Sequence, residues 1–260
     1  MSEPTVFLAS GFSRLRIDLA YDGTNYAGWA PQPDRRTVEG ELTGAISKLA
    51  GYLVEPIVAG RTDAGVHASA QVMHVDVPDS AEGLDEVANW VFRLNRILDP
   101  DIRILQVAVA ADTFHARFSA IEREYQYRLA DNNKVLMPLE RYNTATWFRP
   151  LDVDRLNEVS ALLLGEHDFV AFCKFREDQK TVRTLKKFHW SRLDSGILTA
   201  DVAANAFCYS MVRNLVGAAV AVGEGRFEKE WAVAILKNKE RVSDSYVFPG
   251  NGLTLVKVTY

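Results

Sequence analysis

Strand-like and helix-like segments follow one another in a definite order between residues 14 and 109. Apolar residues alternate with polar ones from Leu15 to Tyr21, and they recur at helical spacing from Val38 to Leu49. Two short strand-like runs come next, and a second amphipathic helix is predicted from Leu84 to Leu98, before a strand at Ile102–Val109. The order strand, helix, strand, strand, helix, strand is that of a split βαβ unit. It predicts an α+β fold related to ferredoxin-like and RNA-recognition folds.

Local signals set the ends of the two predicted helices. Thr37 is a suitable N-cap for the first helix, and Gly51 is placed to end it. Asp99 and Pro100 are expected to stop the second helix.

The second half of the chain partly repeats this plan. A strand is predicted at Glu122–Leu129, with Tyr125 and Tyr127 on one face. The other predicted elements are a helix through Leu156 and Leu163 that Gly165 closes, a hairpin of Thr181–Trp190 and Ile197–Ala203, helices at Ser210–Val222 and around Trp231, and a final strand at Leu253–Tyr260. We therefore expect two ferredoxin-like or RRM-like subdomains, residues 14–112 and 113–260, that share an extended, mostly antiparallel sheet. Residues 1–13 are expected to form a flexible N-terminus.

Composition restricts the class of protein. The chain has 260 residues, 48% of them hydrophobic, and a net charge of −4, which argues against nucleic-acid binding through overall positive charge. The two cysteines, Cys173 and Cys208, have neither metal-ligand spacing nor the density of a disulfide scaffold, so reduced thiols and a cytoplasmic location are expected. No apolar run is long enough to cross a membrane.

The loop between the two short strand-like runs carries the first candidate catalytic group. Residues 60–68 read Gly-Arg-Thr-Asp-Ala-Gly-Val-His-Ala, so the Asp63 carboxylate lies between two glycines and follows Arg61 by two residues. Glycines let the backbone turn tightly and leave little bulk beside Asp63. A simple turn in which Asp63 caps backbone N–H groups is the structural alternative.

The predicted helix at Ser210–Val222 carries the second candidate group. It is apolar almost all round, yet Arg213 and Asn214 lie in its first turns. Burying a guanidinium without a partner is costly, so Arg213 should meet a carboxylate or reach a cleft. A structural ion pair would satisfy the same requirement.

Two further segments are rich in aromatic or basic residues. The aromatic connection Tyr21–Trp29 is either loop packing or a surface for stacking on nucleotides. Residues 169–179 are expected to form a mobile basic loop. Cations that could form basic stripes are Arg35, Arg36, Arg93, Arg96, Arg176, Lys180, Arg183, Lys186 and Lys187.

The segment Gly60–Ala68 resembles, without a gap, the signature of the TruA family of tRNA pseudouridine synthases. Residues 207–217 resemble the family's Phe…Tyr-x-Met-Val-Arg-Asn motif, and weaker matches extend the resemblance over about Leu15 to Tyr260. The resemblance implies the pseudouridine synthase fold, catalysis by Asp63 and an arginine, Arg213, that pairs with it. The chain departs from the family's usual residues at Ala30-Pro31-Gln32 and at Glu124.

The same resemblance assigns the other site residues. It implies that Tyr125 is the active-site tyrosine, that Leu253 lines the uracil pocket, and that Arg61 fills the space of a flipped nucleotide. The implied substrate is tRNA, at uridines in the 3′ part of the anticodon stem-loop. The implied enzyme is a homodimer that needs no cofactor or metal and binds no membrane.

Two other classes of protein are alternatives to a pseudouridine synthase. Split βαβ sheets also bind RNA without chemistry, so a noncatalytic RNA-binding module is the stronger alternative. A metallohydrolase using Asp63, His67, His74 and Asp76 is disfavoured because these residues lack an established ligand spacing.

Overall fold

The structure is a computed structural model, and it describes residues 8–177, 179–239 and 247–260. The predicted fold class is confirmed: the fold is mixed α+β, with a large, mostly antiparallel sheet. The chain forms two compact units, one containing residues up to Ile121 together with Leu255–Tyr260, the other containing Glu122–Thr254. Residues 1–7 of the predicted flexible N-terminus lie outside the described residues.

The described residues contain ten strands and five α-helices. They are β1 (Phe12–Tyr21), α1 (Val38–Ala50), β2 (Ile57–Val58), β3 (His67–Pro78), α2 (Asn89–Ile97), β4 (Ile102–Val109), β5 (Glu122–Ala130), β6 (Ala145–Thr146), α3 (Val153–Leu162), β7 (Gly165–Asp168), β8 (Val182–Arg192), β9 (Leu198–Ala204), α4 (Met211–Gly223), α5 (Lys229–Asn238) and β10 (Leu253–Thr259). Among the described residues no helix is long and apolar enough to span a membrane.

The first unit has the element order that the sequence predicts. Its strands lie in the order β4-β1-β3-β10, and β2 pairs with Met73 and His74 of β3. The α1 boundaries are also confirmed, because the Thr37 hydroxyl accepts a hydrogen bond from the Gly40 N–H and Gly51 has a φ of 63°. The predicted start of α2 at Leu84 is wrong. Residues 81–88 form successive turns around Gly83, whose φ is 76°, so helical hydrogen bonding begins only at Asn89.

A buried polar network joins the segment after β4 to the sheet. The Arg14 guanidinium binds the Asp76 carboxylate through two nitrogens and donates to the backbone oxygens of Asp112 and Phe114. Because Arg14 is buried, these four bonds satisfy a charge that would otherwise be costly. They attach residues 112–114 to β1 and β3 of the first unit.

His74 lies in the same network and makes the first unit sensitive to acid. Its Nδ1 accepts a hydrogen bond from the Ala116 N–H, so the ring is neutral in the folded protein. Burial, together with the neighbouring Arg14 and His115, lowers the pKa of His74 from 6.5 to about 4, although Asp76 opposes the shift. The unfolded chain takes up this proton near pH 6.5, whereas the folded chain does so only near pH 4.

We expect stability to fall as the pH is lowered through this window, by up to about 3 kcal/mol. Urea unfolding at several pH values would measure the dependence. His74→Gln should flatten it, because glutamine does not titrate but can still accept from the Ala116 N–H. His189→Gln, at an exposed position on β8, is the matched control. An unchanged pH dependence in His74→Gln would contradict the assignment.

The second unit is a four-stranded antiparallel arrangement, β5-β9-β8-β7, with β6 beside β5. The predicted hairpin of β8 and β9 is confirmed, as is the common buried face of Tyr125 and Tyr127 on β5. The sequence predicted that Gly165 closes a helix, and this is wrong. Gly165 is the first residue of β7, with a φ of 106°.

The expectation that the two cysteines are reduced thiols is wrong. Cys173 and Cys208 form a disulfide, with their Cα atoms 5.8 Å apart. Their separation of 35 residues gives no local sign of the pairing, which the folding of the second unit creates. Cys173, in the segment predicted to be a mobile basic loop, is therefore covalently anchored, and a short 3-10 turn occupies Val170–Phe172.

Candidate active site

The Asp63 loop connects β2 to β3 and is fixed at both ends by the sheet. The Ala59 N–H donates to the Val72 oxygen at 2.8 Å, and the Gln71 side chain donates to the Gly60 oxygen at 2.9 Å. A turn follows, in which the Val66 N–H donates to the Asp63 oxygen at 3.2 Å. Asp63 is half-buried at this turn, and Arg61 is exposed.

The connection Tyr21–Trp29 supports the Asp63 loop from one side. The Trp29 N–H donates to the Thr62 oxygen at 3.0 Å, and the Tyr21 hydroxyl is hydrogen-bonded to the Thr62 hydroxyl at 2.8 Å. Tyr21, Tyr26 and Trp29 are buried. The structure therefore favours loop packing over nucleotide stacking for these aromatic rings.

Two glycines allow these loops to touch through their backbones. A Cβ on Gly23 would lie 2.0 Å from the Val66 oxygen. A Cβ on Gly28 would lie 2.9 Å from the Thr62 oxygen and 3.2 Å from the carbonyl carbon of Asp63. Gly28 also has a φ of 103°, which side chains disfavour. The position of Asp63 thus depends on glycine at residue 28.

Charged residues near this loop interact with other residues of the first unit. Burial raises the pKa of Glu39, in the first turn of α1, and the positive charge of Arg61 opposes that rise. The His67 Nδ1 accepts a hydrogen bond from the Gly23 N–H. With His74 bound to Ala116 and Asp76 to Arg14, the described residues contain no group of three His, Cys, Asp or Glu side chains that could hold a metal.

In the second unit, Arg213 lies in the first turn of α4 and is half-buried. Its Nε donates to the Phe248 oxygen at 2.6 Å, and the Phe248 N–H donates to the Arg213 oxygen at 3.3 Å. The Tyr127 hydroxyl donates to the neighbouring Pro249 oxygen at 2.9 Å. Burial raises the pKa of Tyr127, and the charge of Arg213 opposes that rise. Arg213 and Tyr127 therefore hold the same short segment, residues 248–249.

Tyr125 and Leu253 are buried at neighbouring parts of this unit. Tyr125 points to the same face of β5 as Tyr127, and its ring meets that of Phe207 edge-on, with centroids 5.2 Å apart. Leu253 begins β10 directly after Gly252, where a Cβ would lie 2.6 Å from the Tyr127 ring. Tyr127 thus borders the segment that Arg213 binds and the residue that precedes Leu253.

Comparison with known proteins identifies the family. Residues 159–260 match the family described as tRNA pseudouridine synthase. The protein named tRNA pseudouridine synthase A from Frankia casuarinae is 48% identical over 97% of this chain and 91% of its own length. Proteins of the same name from Streptomyces griseus subsp. griseus and Cutibacterium acnes are each 47% identical, over 96% and 95% of this chain and 89% of their own lengths.

The chain belongs to the tRNA pseudouridine synthase A family. It is therefore an enzyme, an isomerase of the pseudouridine synthase class. The family assignment made from the Gly60–Ala68 segment is confirmed. The individual roles of Asp63, Arg61, Tyr125, Arg213 and Leu253 stay predictions.

The packing of Gly28 gives a direct test of the Asp63 loop in this pseudouridine synthase. Gly28→Ala should displace the backbone of residues 62–64 and destabilise the protein by about 1–3 kcal/mol. Its rate of pseudouridine formation should fall even under conditions where the variant is fully folded. Urea unfolding and single-turnover rates measure the two effects.

Gly44→Ala is the matched control for Gly28→Ala. Gly44 lies inside α1, and a Cβ there meets nothing within 4 Å. Alanine should stabilise the helix by about 0.5–1 kcal/mol and leave the rate unchanged. If the two alanine variants had equal stability and equal rates, the close approach at Gly28 would have no functional meaning.

Sequence reasoning missed the role of Tyr127 in the pseudouridine synthase. The alternating pattern placed Tyr127 beside Tyr125 on one face of β5, but only Tyr125 matched the family motif. The hydrogen bond to Pro249, which fixes the segment before Leu253, joins residues far apart in the chain. A buried Tyr-x-Tyr pair was the available signal.

Several of the cations that the sequence predicts to form basic stripes are paired with carboxylates. Arg36 binds Glu41, Asp99 and Asp101, while Arg93 pairs with Glu82 at 3.3 Å. In the second unit, Lys186 pairs with Glu122 at 2.7 Å and Lys187 with Asp201 at 2.9 Å. A phosphate would have to compete with these carboxylates, so we expect these four residues to contribute less to RNA binding than the sequence suggested.

Proposed function

We propose that this enzyme converts uridine to pseudouridine in tRNA, at uridines in the 3′ part of the anticodon stem-loop. The main support is identity of 42–48% to proteins named tRNA pseudouridine synthase A, over nearly the whole chain. Asp63 is the proposed catalytic residue. Its support is the family signature around it and its position on a tight loop fixed by β2, β3 and Trp29.

The reaction needs only groups that the chain supplies. The bond from C1′ to N1 breaks, the base turns, and C1′ joins C5, with no redox change and no net hydrolysis. A carboxylate is sufficient, either as a nucleophile or as a base that removes a ribose proton. Asp63 must be ionised for either role, and Arg213 is the proposed group that favours the charged form.

The other residues have proposed roles in holding the target. The uridine must leave the helical stack to be reached, and Arg61 would fill the vacated space. Its exposure on the Asp63 loop supports this role. Tyr125 would stack on the base or assist a proton transfer, and Leu253 would form an apolar wall of the uracil pocket.

Release of tritium from tRNA labelled at uridine C5 tests the proposed function, because the C5 hydrogen is lost when C1′ binds C5. We expect release that is proportional to pseudouridine found in the digested tRNA, and sequencing should place it in the 3′ part of the anticodon stem-loop. A noncatalytic RNA-binding module would bind tRNA without releasing tritium. Modification confined to another region of tRNA would refute the proposed position.

We further propose a cytoplasmic homodimer that acts without cofactor or metal. The support is the family resemblance alone. Sedimentation at micromolar concentration would disprove the dimer if it showed only monomer. Activity lost on dialysis against a chelator and restored by a metal ion would contradict metal-free catalysis.

A further inference from the structure

One loop of the second unit is tied to the segment that leads into α4. We call residues 173–177 the tethered loop. Its first residue, Cys173, forms the disulfide with Cys208, and the Lys174 N–H donates to the Tyr209 oxygen at 2.9 Å. The Tyr209 N–H in turn donates to the Gln179 side chain at 3.0 Å. One covalent bond and one hydrogen bond thus fix the loop to residues 208–209, and a second hydrogen bond holds Gln179 beside them.

The tethered loop presents positive charge around an aromatic ring. The Lys174 Nζ and the Arg176 guanidinium each lie 5.2 Å from the centre of the Tyr209 ring. Phe175 between them is 86% exposed, and the loop ends in the exposed Glu177. Cations next to exposed aromatic rings are the combination with which proteins contact phosphates and unstacked bases of RNA.

Hydrogen bonds also connect Phe172, directly before the tethered loop, to the start of α4. The Asn214 amide donates to the Phe172 oxygen at 2.8 Å and to the Ser210 oxygen at 3.0 Å. Ser210 has a φ of 61°, an unfavourable conformation that its surroundings must maintain. The disulfide therefore lies next to contacts that shape the turn before Arg213.

We propose that the Cys173–Cys208 disulfide is a reversible redox lock on an RNA-contact loop, so that the enzyme binds tRNA more tightly when this bond is formed. The inference rests on the proposed function, which makes RNA the partner. A dithiol reductant opens the lock by thiol–disulfide exchange: it forms its own disulfide, and its two electrons and two protons pass to Cys173 and Cys208. Exchange with an oxidised dithiol closes the lock again.

Opening the lock removes a constraint from the loop. Residues 173–177 then retain the Lys174 hydrogen bond and the two cation–π contacts beside Tyr209, and each of these contributes modestly to stability. Binding RNA would have to order the loop again, and this entropic cost lowers affinity. The charges themselves do not change, so the redox effect acts through loop position.

The first experiment measures tRNA affinity of the full chain in oxidised and reduced dithiothreitol, with thiols counted after denaturation. The chain has only two cysteines, so the count reports this bond alone. We expect reduction to weaken binding about tenfold, equivalent to the loss of roughly one stacked base. The double variant Cys173→Ser, Cys208→Ser should bind with the weak affinity in both buffers. Equal affinities for the two redox states would overturn the proposal.

Charge variants test whether the tethered loop contacts RNA. Lys174→Ala with Arg176→Ala should lower the slope of log affinity against log salt by about 1 for each lost phosphate contact. The matched control is Lys186→Ala with Lys187→Ala, because both lysines are already paired with carboxylates. Equal slopes for the two double variants would refute the RNA contact.

Amide hydrogen exchange separates failure of the lock from failure of the proposed function. Reduction should speed exchange at the Lys174 and Tyr209 amides, whether or not tRNA is a substrate. Unchanged exchange after confirmed reduction would overturn the lock itself. If exchange and tRNA affinity responded to reduction while tritium release stayed absent in both redox states, the proposed function would fail and the lock would stand.

Discussion

Asp63→Asn is expected to abolish pseudouridine formation while tRNA binding is largely retained. Asparagine preserves the shape of the side chain but removes the negative charge, so it can act neither as a nucleophile nor as a base. The loop should keep its form, because the hydrogen bonds at Ala59, Gly60, Thr62 and Val66 use backbone groups there. We expect the single-turnover rate to fall by about a thousandfold or more.

The measurement is tritium release under single-turnover conditions, together with tRNA affinity. Asp79→Asn is the matched control, since Asp79 is an exposed carboxylate of the same unit and accepts a hydrogen bond from Ser13. It should leave both quantities unchanged. Residual activity of Asp63→Asn within about tenfold of wild type, only about 1.4 kcal/mol of barrier, would show that another group performs the chemistry.

Substitution of Arg213 should have the second largest effect. Arg213→Lys keeps a positive charge but loses the planar fork that can bind a carboxylate in two places. It also removes the Nε that donates to the Phe248 oxygen at 2.6 Å. We expect the rate to fall roughly ten- to a hundredfold, from a charge-assisted hydrogen bond of about 1.5–3 kcal/mol. The folded fraction should be checked by circular dichroism.

The pH dependence distinguishes the catalytic role of Arg213 from a structural one. In the proposed pairing of Arg213 with Asp63, loss of the positive charge would disfavour the ionised carboxylate that catalysis needs. Arg213→Ala should therefore lose its remaining activity at a higher pH than wild type as the solution is acidified. A merely structural arginine would leave this acid limb unshifted.

Arg155→Ala supplies the control for the pH experiment. Arg155 on α3 also donates to backbone oxygens, those of Val222 and Phe227, so it is an arginine that stabilises the same unit. Its loss should lower stability without moving the acid limb. If Arg213→Ala behaved in the same way, with a nearly normal rate when folded, the two-residue account of the site would have to be abandoned.

Local sequence patterns determined the main elements and their faces. The alternation in β1 and β5, the helical spacing in α1 and the capping residues Thr37 and Gly51 all describe interactions between residues close in the chain. Such interactions can be predicted almost entirely from the local sequence. The Gly60–Ala68 segment likewise identified the family, which its relatives confirm.

Only the tertiary structure determined which residues far apart in the chain contact one another. It buried Tyr26 and Trp29 against the Asp63 loop, joined Cys173 to Cys208, paired Lys186 with Glu122 and set Tyr127 against Pro249. Each of these outcomes depends on which strands and loops come to lie side by side. Periodicity and capping report a residue's own element, whereas a hydrogen bond or ion pair between elements depends on their register and on the space left between them. For that reason, the sequence by itself determined the kinds of element and the family, and the folded chain alone decided the partners of the polar and charged side chains.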